Sequence, residues 1–193
     1  MASDTLRRPL RRAAGDCAIT PAVSVPAVGV PAPAATSGRA GVVIEVVHLR
    51  ADMSGRWHYR RTAEDLPAWT EPDRAARSLA GLDDISAPNA VLHSTSWRYD
   101  PAGHVVLTYA VLPDLDPEAA AKPLPSMEIA RGQHHAHPAP VAAGPDHVAA
   151  HAIRHLAWLA STDPIVTAAL GGDGSVLREA LAAVCPDPAG QLV

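Results

Sequence analysis

Six of the ten histidines fall between positions 134 and 155: His134, His135, His137, His147, His151 and His155. On a helix, His147, His151 and His155 stand four residues apart. Each is rotated about 40° from the last, so they form one stripe. Imidazoles at i and i+4 are spaced to reach a common metal ion, and His135 or His137 from the preceding segment could add a donor. A divalent transition metal such as zinc, held by His151 and His155 with one of His147, His135 or His137, would suit metal-dependent hydrolysis. Two features oppose that chemistry. His147 is followed by Val148 and Ala149, so there is no H-E-x-x-H motif, and Asp146 is the only local carboxylate to serve as a general base. Histidines that border an apolar helix face are more often satisfied by protein or water than by metal.

A second constellation is the strand-like run His93-Ser94-Thr95-Ser96-Trp97-Arg98. Strict alternation would put Val91, His93, Thr95, Trp97 and Tyr99 on one face and Leu92, Ser94, Ser96 and Arg98 on the other. Serine is not a favoured strand residue, and the facing segment 105–112 is strongly apolar, so propensity does not explain Ser94 and Ser96. Together with His93, the side chains of Ser94, Ser96 and Arg98 could hold an anionic group, the guanidinium supplying a charged fork. A solvated sheet face is the commoner origin of such polar residues. A serine nucleophile would need a base within hydrogen-bond reach, and His93 projects away from Ser94. No G-x-S-x-G elbow occurs. Gly171-Gly172-Asp173-Gly174 lies between helices rather than after a strand, so it is not a phosphate-binding fingerprint. Cys185 has no basic neighbour to lower its pKa.

The elements that must position these groups follow from periodicity. Val42 to Leu49 is β-branched and nearly all apolar, as a strand buried on both faces should be. The segment Ala51–Gly55 is a turn, and Arg56 to Arg60 alternates, completing a hairpin. A short helix follows, with Thr70 as its cap, Pro72 in its first turn and Ala75, Ala76, Leu79 and Leu82 buried. A second hairpin joins 90–99 to 104–112 through Asp100-Pro101-Ala102-Gly103. Three helices close the chain, over about 145–161, 163–170 and 175–184. The expected fold is α+β: an antiparallel four-stranded sheet, two hairpins joined by the short helix, with the C-terminal helices packed on one face.

Composition bounds the rest. The chain has 193 residues, 48% of them hydrophobic, with 16 Lys and Arg against 20 Asp and Glu. Phe is absent and Lys122 is the only lysine. Residues 1–40 are rich in Arg, Ala and Pro and carry a charge of +3 beside −7 for the remainder. They are expected to form a disordered tail, since they bury too little to offset chain entropy. Their prolines interrupt any export-signal helix. Positions 41–188 should form one domain, interrupted by a Pro-rich loop at 113–145. Mild acidity excludes a dedicated nucleic-acid binder, and no apolar run approaches the roughly 18 residues of a membrane span. Two cysteines do not make a disulfide framework, which points to a reducing, cytoplasmic setting.

The stretch Val91-Leu92-His93-Ser94-Thr95-Ser96-Trp97-Arg98, with Val105-Val106-Leu107-Thr108-Tyr109 and His151-Ala152-Ile153-Arg154-His155-Leu156-Ala157-Trp158-Leu159, resembles a family of uncharacterised small proteins from high-GC, actinobacterial-type bacteria. The resemblance covers roughly 41–188. It implies a stand-alone domain and brings no activity, cofactor or catalytic residues. The expectation is therefore a binding domain for a small anionic ligand or a protein partner, acting through strand 93–98 and helix 145–161. The alternatives are a His-ligated metal-dependent hydrolase and a structural or interaction protein whose tail and Pro-rich loop dock partners.

Overall fold

The computed structural model describes residues 41–83, 89–132, 140, 143–171 and 175–186, all within the compact unit Ser37–Val193. The expectations for residues 1–40, and for His134, His135 and His137, lie outside the described residues.

The apolar run forms β1 (Val42–Ala51), whose six residues from Ile44 to Leu49 are all buried. Asp52 then turns the chain. Its carboxylate accepts hydrogen bonds from the Ser54 amide at 2.9 Å and the Arg56 amide at 3.0 Å, and Gly55 takes a φ of 78°. The chain returns as β2 (Trp57–Asp65). Helix α1 (Pro72–Leu79) begins with proline in its first turn, but its N-cap is Glu71 rather than Thr70 and makes no side-chain cap. Strands β3 (Val91–Tyr99) and β4 (Val105–Leu112) flank a turn in which Asp100 accepts from the Ala102 amide at 2.6 Å and Gly103 has a φ of 97°. A two-residue strand that sequence periodicity missed, β5 (Lys122–Pro123), lies inside the Pro-rich loop. Helices α2 (Pro145–Thr162), α3 (Pro164–Ala169) and α4 (Val176–Ala182) complete the described chain. Asp163 starts α3 and Ser175 starts α4, each accepting backbone hydrogen bonds from the first turn. Among the described residues, no helix is long and apolar enough to cross a membrane.

The sheet departs from the expected antiparallel four-strand arrangement. It has five strands in the order β3-β4-β1-β2-β5, and it is mixed, because β4 runs parallel to β1 from Val42↔Val105 to His48↔Val111. The cause is the connection through α1. A helix between two strands carries the chain back along the strand length, so the next strand runs in the same direction as the last. Hence β3 runs like β2, and β4, its hairpin partner, runs like β1. The two most apolar strands, β1 and β4, thereby occupy the interior of the sheet.

Helices cover both faces. Ile44, Val46, Tyr109 and Val111 pack under α1 with Ala76, Ala80 and Leu82. Val47, Leu49, Trp57, Tyr59, Ala110 and Leu112 pack on the opposite face under Ala149, Ala152, Ile153 and Leu156 of α2, with α3 and α4 alongside. The expectation of C-terminal helices on one face holds for α2 to α4, while α1 takes the other.

One irregularity redirects the candidate site. The β3–β4 register runs His93↔Ala110, Ser94↔Tyr109, then Ser96↔Thr108 and Arg98↔Val106, so Thr95 is an extra residue. A bulge of one residue exchanges the two faces of the strand beyond it. His93, Ser96 and Arg98 therefore share the α2 face, while Ser94, Trp97 and Tyr99 look to the α1 face. The face assignment made from alternation is wrong beyond Thr95.

Candidate functional site

Polar residues inside the sheet form two networks, one on each face. On the α2 face, Glu45 sits in the middle of β1 with its side chain 1% exposed. Strand neighbours bring three donors to it. Arg98 Nη1 donates to Oε2 at 2.6 Å and Nη2 to Oε1 at 3.1 Å. Thr108 Oγ1 donates to Oε2 at 2.9 Å, and Arg61 donates through Nε at 2.7 Å and again through Nη2. Burial alone would raise the Glu45 carboxyl, but the hydrogen bonds from Arg98 and Arg61 outweigh it and hold it below the usual range. Arg98 is thus committed to an internal pair, which limits its freedom to hold a ligand through strand 93–98.

On the α1 face, His48 Nε2 lies 2.9 Å from Thr62 Oγ1, and its Nδ1 lies 3.5 Å from Asp114 Oδ1. Hydroxyl, imidazole and carboxylate in that order have the outline of a nucleophile, base and orienting acid. Arg60 disarms it. Its Nη2 stands 3.0 Å from His48 Nδ1, closer than the carboxylate, and a guanidinium only donates. Nδ1 must then accept, so the neutral ring carries its proton on Nε2 and donates to Thr62. That is the wrong tautomer for removing the hydroxyl proton. Burial, then the Arg60 cation, push His48 down to about 4, over the opposing pull of Asp114 and Asp116. Asp114 itself is held bidentately by Arg60, Nε to Oδ2 at 2.8 Å and Nη2 to Oδ1 at 2.7 Å. The group is structural.

The histidines of the expected metal set divide. His147 Nδ1 accepts from the Gly144 amide at 3.2 Å, closing the start of α2. His151 Nε2 donates to the Thr95 carbonyl at 3.3 Å, and His93 Nδ1 donates to the Ser94 carbonyl at 2.7 Å. Both acceptors belong to the bulge, where the ladder is interrupted. His155 is 5% exposed, its ring centroid 5.1 Å from that of His93 and 5.9 Å from that of Trp158. Burial, then His93 and His151, depress its pKa to about 4. The structure therefore gathers His93, His151 and His155 where α2 crosses β3 and sends His147 to the helix start. Among the described residues, no three His, Cys, Asp or Glu side chains are disposed to hold a metal ion. His135 and His137 lie outside the described residues.

Comparison with family models, curated proteins and solved structures finds no match to this chain. The site must speak through its own geometry.

Two of the clefts formed by the described residues bear on the site. One of about 540 Å³ lies where α2, α3 and α4 meet, lined among others by Ser161, Thr162, Asp163 and Thr167. These groups already serve the helix ends. The Ser161 and Thr162 hydroxyls donate to the Trp158 carbonyl, Thr167 donates to Ala160, and Asp163 caps α3. The other cleft, of about 480 Å³, lies between β2, β5 and the start of α2 and is lined by Tyr59, Arg60, Arg61, Ala120, Ala121, Lys122 and Pro145. Three of its seven lining residues are cations and none is acidic. Because the Arg60 guanidinium belongs to Asp114, Arg61 and Lys122 are the charges that matter there.

Lys122 is fixed by its neighbours. Its Nζ lies 2.7 Å from Asp146 Oδ1 and 4.9 Å from the Tyr59 ring centroid, and the Tyr59 hydroxyl donates to the same oxygen at 2.5 Å. The hydrogen bonds that Lys122 donates to Asp146 and Tyr59 raise its pKa, so the ammonium is charged throughout the neutral range. Sequence reasoning missed Arg61, Lys122 and Tyr59. Two signals were available: the sole lysine of the chain, and a lone carboxylate, Glu45, within an apolar strand. Such a buried carboxylate demands cations on the neighbouring strands.

Proposed function

We propose that this domain binds a small anionic ligand, one bearing a carboxylate or phosphate group, in the cleft between β2, β5 and the start of α2. The observation that carries the reading is the cleft wall: two cations, Arg61 and Lys122, with no carboxylate lining the space. Arg61 supplies a planar fork and Lys122 a compact charge, the two complementary ways of holding an oxyanion. Counting the groups bonded to them supports the same sign. Arg61, Arg98 and Lys122 face Glu45 and Asp146, which leaves one positive charge over. The first turn of α2, at Pro145, adds the partial positive end of an 18-residue helix. Ala120 and Ala121 contribute small side chains to the lining. The volume falls within the range of small-molecule sites.

This reading keeps the anionic ligand and the helix expected from sequence, and shifts the anchoring from Ser94, Ser96 and Arg98 to Arg61 and Lys122. Arg98 participates indirectly, by sharing Glu45. A cytoplasmic setting fits the sparing use of cysteine. No observation among the described residues favours metal-dependent hydrolysis over binding.

Two charge-assisted contacts in a solvated cleft give a Kd on the order of 1 mM. At 10 mM ligand, linkage then adds about 1.4 kcal/mol of stability, or a Tm rise of about 3–5 °C for a domain of this size. The test is a thermal-shift series with phosphate, citrate, succinate and a neutral polyol at constant ionic strength. Anions should raise Tm, the polyol should not, and Lys122→Ala should reduce the rise to below about 1 °C. An unchanged response in Lys122→Ala, or none to any anion in the parent, refutes the cleft as the site.

A further inference from the structure

We propose that the end of the sheet carrying Trp69, Trp97 and Tyr99 is a docking surface for a cationic polypeptide segment, one that presents arginine or lysine side chains among apolar ones. These are three of the seven aromatic residues of the chain, and their relative exposures are 104%, 71% and 66%. Topology brings them together. The Leu66 amide donates to the Val42 carbonyl at 2.7 Å, the Val105 amide donates to the Gly41 carbonyl at 3.0 Å, and Tyr99 pairs with Val105. The segment leading to α1, which holds Trp69, therefore leaves the sheet at the same end as Tyr99. Trp97 and Tyr99 look to the face on which α1 lies, since the bulge at Thr95 turned them there. Three strand spacings of about 4.8 Å separate β3 from β2, so the surface is about 14 Å wide, the reach of four or five extended residues.

Trp69 adds an observation of a different kind. Its φ is +65°, a left-handed conformation that is rare for a bulky side chain, and the indole buries nothing within the chain to offset it. The rim supplies the sign of the partner. Glu64 pairs with Ile44 and so lies on the α1 face, Glu71 and Asp73 begin α1, and Asp100 follows Tyr99. Arg74 is the one cation within this stretch of α1 and its approach, residues 64–74. Among the described residues, neither Glu64 nor Glu71 enters an ion pair. Indole faces attract arginine and lysine head groups, and carboxylates beside them reinforce that choice. Asp73 already accepts from the Tyr109 hydroxyl and Asp100 from the Ala102 amide, but a purely apolar partner would bury Glu64 and Glu71 without a counter-charge, and an acidic one would be repelled. This surface lies on the face opposite the Glu45 network and does not depend on the anion cleft.

The experiment uses the full-length chain and a fluorescent decapeptide of alternating arginine and leucine, with an alternating glutamate and leucine peptide as the control. Anisotropy and tryptophan quenching should report binding of the cationic peptide only, weakening as salt rises. Trp69→Ala/Trp97→Ala should lower the affinity at least tenfold and Glu64→Gln/Glu71→Gln at least threefold, with Tm unchanged in both. Failure of the parent to bind, undiminished binding by the tryptophan variant, or equal binding of the acidic peptide overturns the proposal. So does a concentration-dependent dimer that Trp97→Ala abolishes in the absence of peptide binding, which would assign the surface to a second copy of the chain.

Discussion

Arg61 on β2 and Arg98 on β3 grip the same carboxylate, that of Glu45, although β4 and β1 separate their strands. The contact spans most of the sheet width and is possible because the bulge at Thr95 turns Arg98 onto the α2 face. A buried carboxylate thereby fixes the register of three strands at once.

Removing that carboxylate should cost more than removing either cation. Glu45→Gln keeps the volume but leaves two guanidinium groups over a neutral amide, with a loss of about 3 kcal/mol expected from buried pairs broken on one side. Arg61→Ala leaves Arg98 and Thr108 on the carboxylate and should cost about 1 kcal/mol. Urea denaturation compares the two. If Glu45→Gln loses no more than Arg61→Ala, the carboxylate is not the centre of the network.

Stability should fall as pH drops from about 6.5 to about 4, ahead of ordinary acid unfolding. His48 and His155 are both held near 4 in the folded chain, chiefly by burial, with Arg60 adding to the first and His93 and His151 to the second. A histidine whose folded pKa is depressed binds its proton more readily when unfolded. Its contribution is therefore complete above 6.5 and disappears as pH falls to 4. On the order of 1–3 kcal/mol is expected from each group. His155→Leu should shrink the slope of stability against pH in this window by about half. A slope equal to that of the parent would show that His155 titrates normally.

The pattern of elements was legible in the sequence because it follows from local periodicity and punctuation. Val42 to Leu49 reads as a doubly buried strand, and Asp100-Pro101-Ala102-Gly103 reads as a turn. What escaped depends on distant pairings. The parallel β1–β4 contact follows from where α1 carries the chain, and β5 is two residues whose strand character comes from pairing with His58 and Tyr59. The bulge has no glycine to announce it, so alternation assigned Arg98 and Trp97 to the wrong faces. The binding candidates inherited that error: Ser94 and Ser96 were grouped, although they point to opposite sides of the sheet. The histidine stripe was visible, yet its chemistry depends on which carbonyls the bulge leaves to be capped, and no spacing rule contains that.

Deleting Thr95 tests the bulge directly. Without the extra residue, Ser94↔Tyr109 would be followed directly by Ser96↔Thr108, so the ladder becomes regular while Arg98 keeps the α2 face and its hold on Glu45. Thr95 is 2% exposed and its hydroxyl donates to the Thr108 carbonyl at 3.3 Å. The deletion removes that hydroxyl and the carbonyl that accepts from His151, so it should lower stability by about 2–3 kcal/mol with unfolding still cooperative, whereas Thr95→Val, which keeps the bulge, should cost about 1–2 kcal/mol. A deletion variant that no longer unfolds cooperatively would mean that the strand cannot close up into a regular ladder and that the bulge is itself required for the fold.

Arg60→Gln should raise the pKa of His48 part of the way back, since burial, the larger cause, stays in place. The guanidinium at Nδ1 is the one cation acting on it, while Asp114 and Asp116 pull the other way. With the cation gone, Asp114 becomes the nearest partner and favours a proton on Nδ1, so the imidazole pKa should rise by at least one unit. Nitrogen-15 shifts of the ring report both the pKa and the tautomer. A His48 that stays near 4 with its proton on Nε2 in Arg60→Gln would mean that burial alone sets its state.

Arg98→Ala should weaken anion binding in the cleft even though Arg98 does not line it. Glu45 divides its charge between Arg98 and Arg61, and without Arg98 it neutralises Arg61 fully, so the excess positive charge beside the ligand disappears. In a solvated cleft this amounts to roughly 0.7 kcal/mol, about a threefold loss of affinity for phosphate by calorimetric titration. Ser94→Ala, on the opposite face of β3, should change nothing. Screening sharpens the distinction: at 0.5 M salt, about a 4 Å Debye length, the Arg98→Ala deficit should narrow. If Arg98→Ala binds phosphate as the parent does at low salt, the charge shared through Glu45 does not reach the ligand, and Lys122 holds it alone.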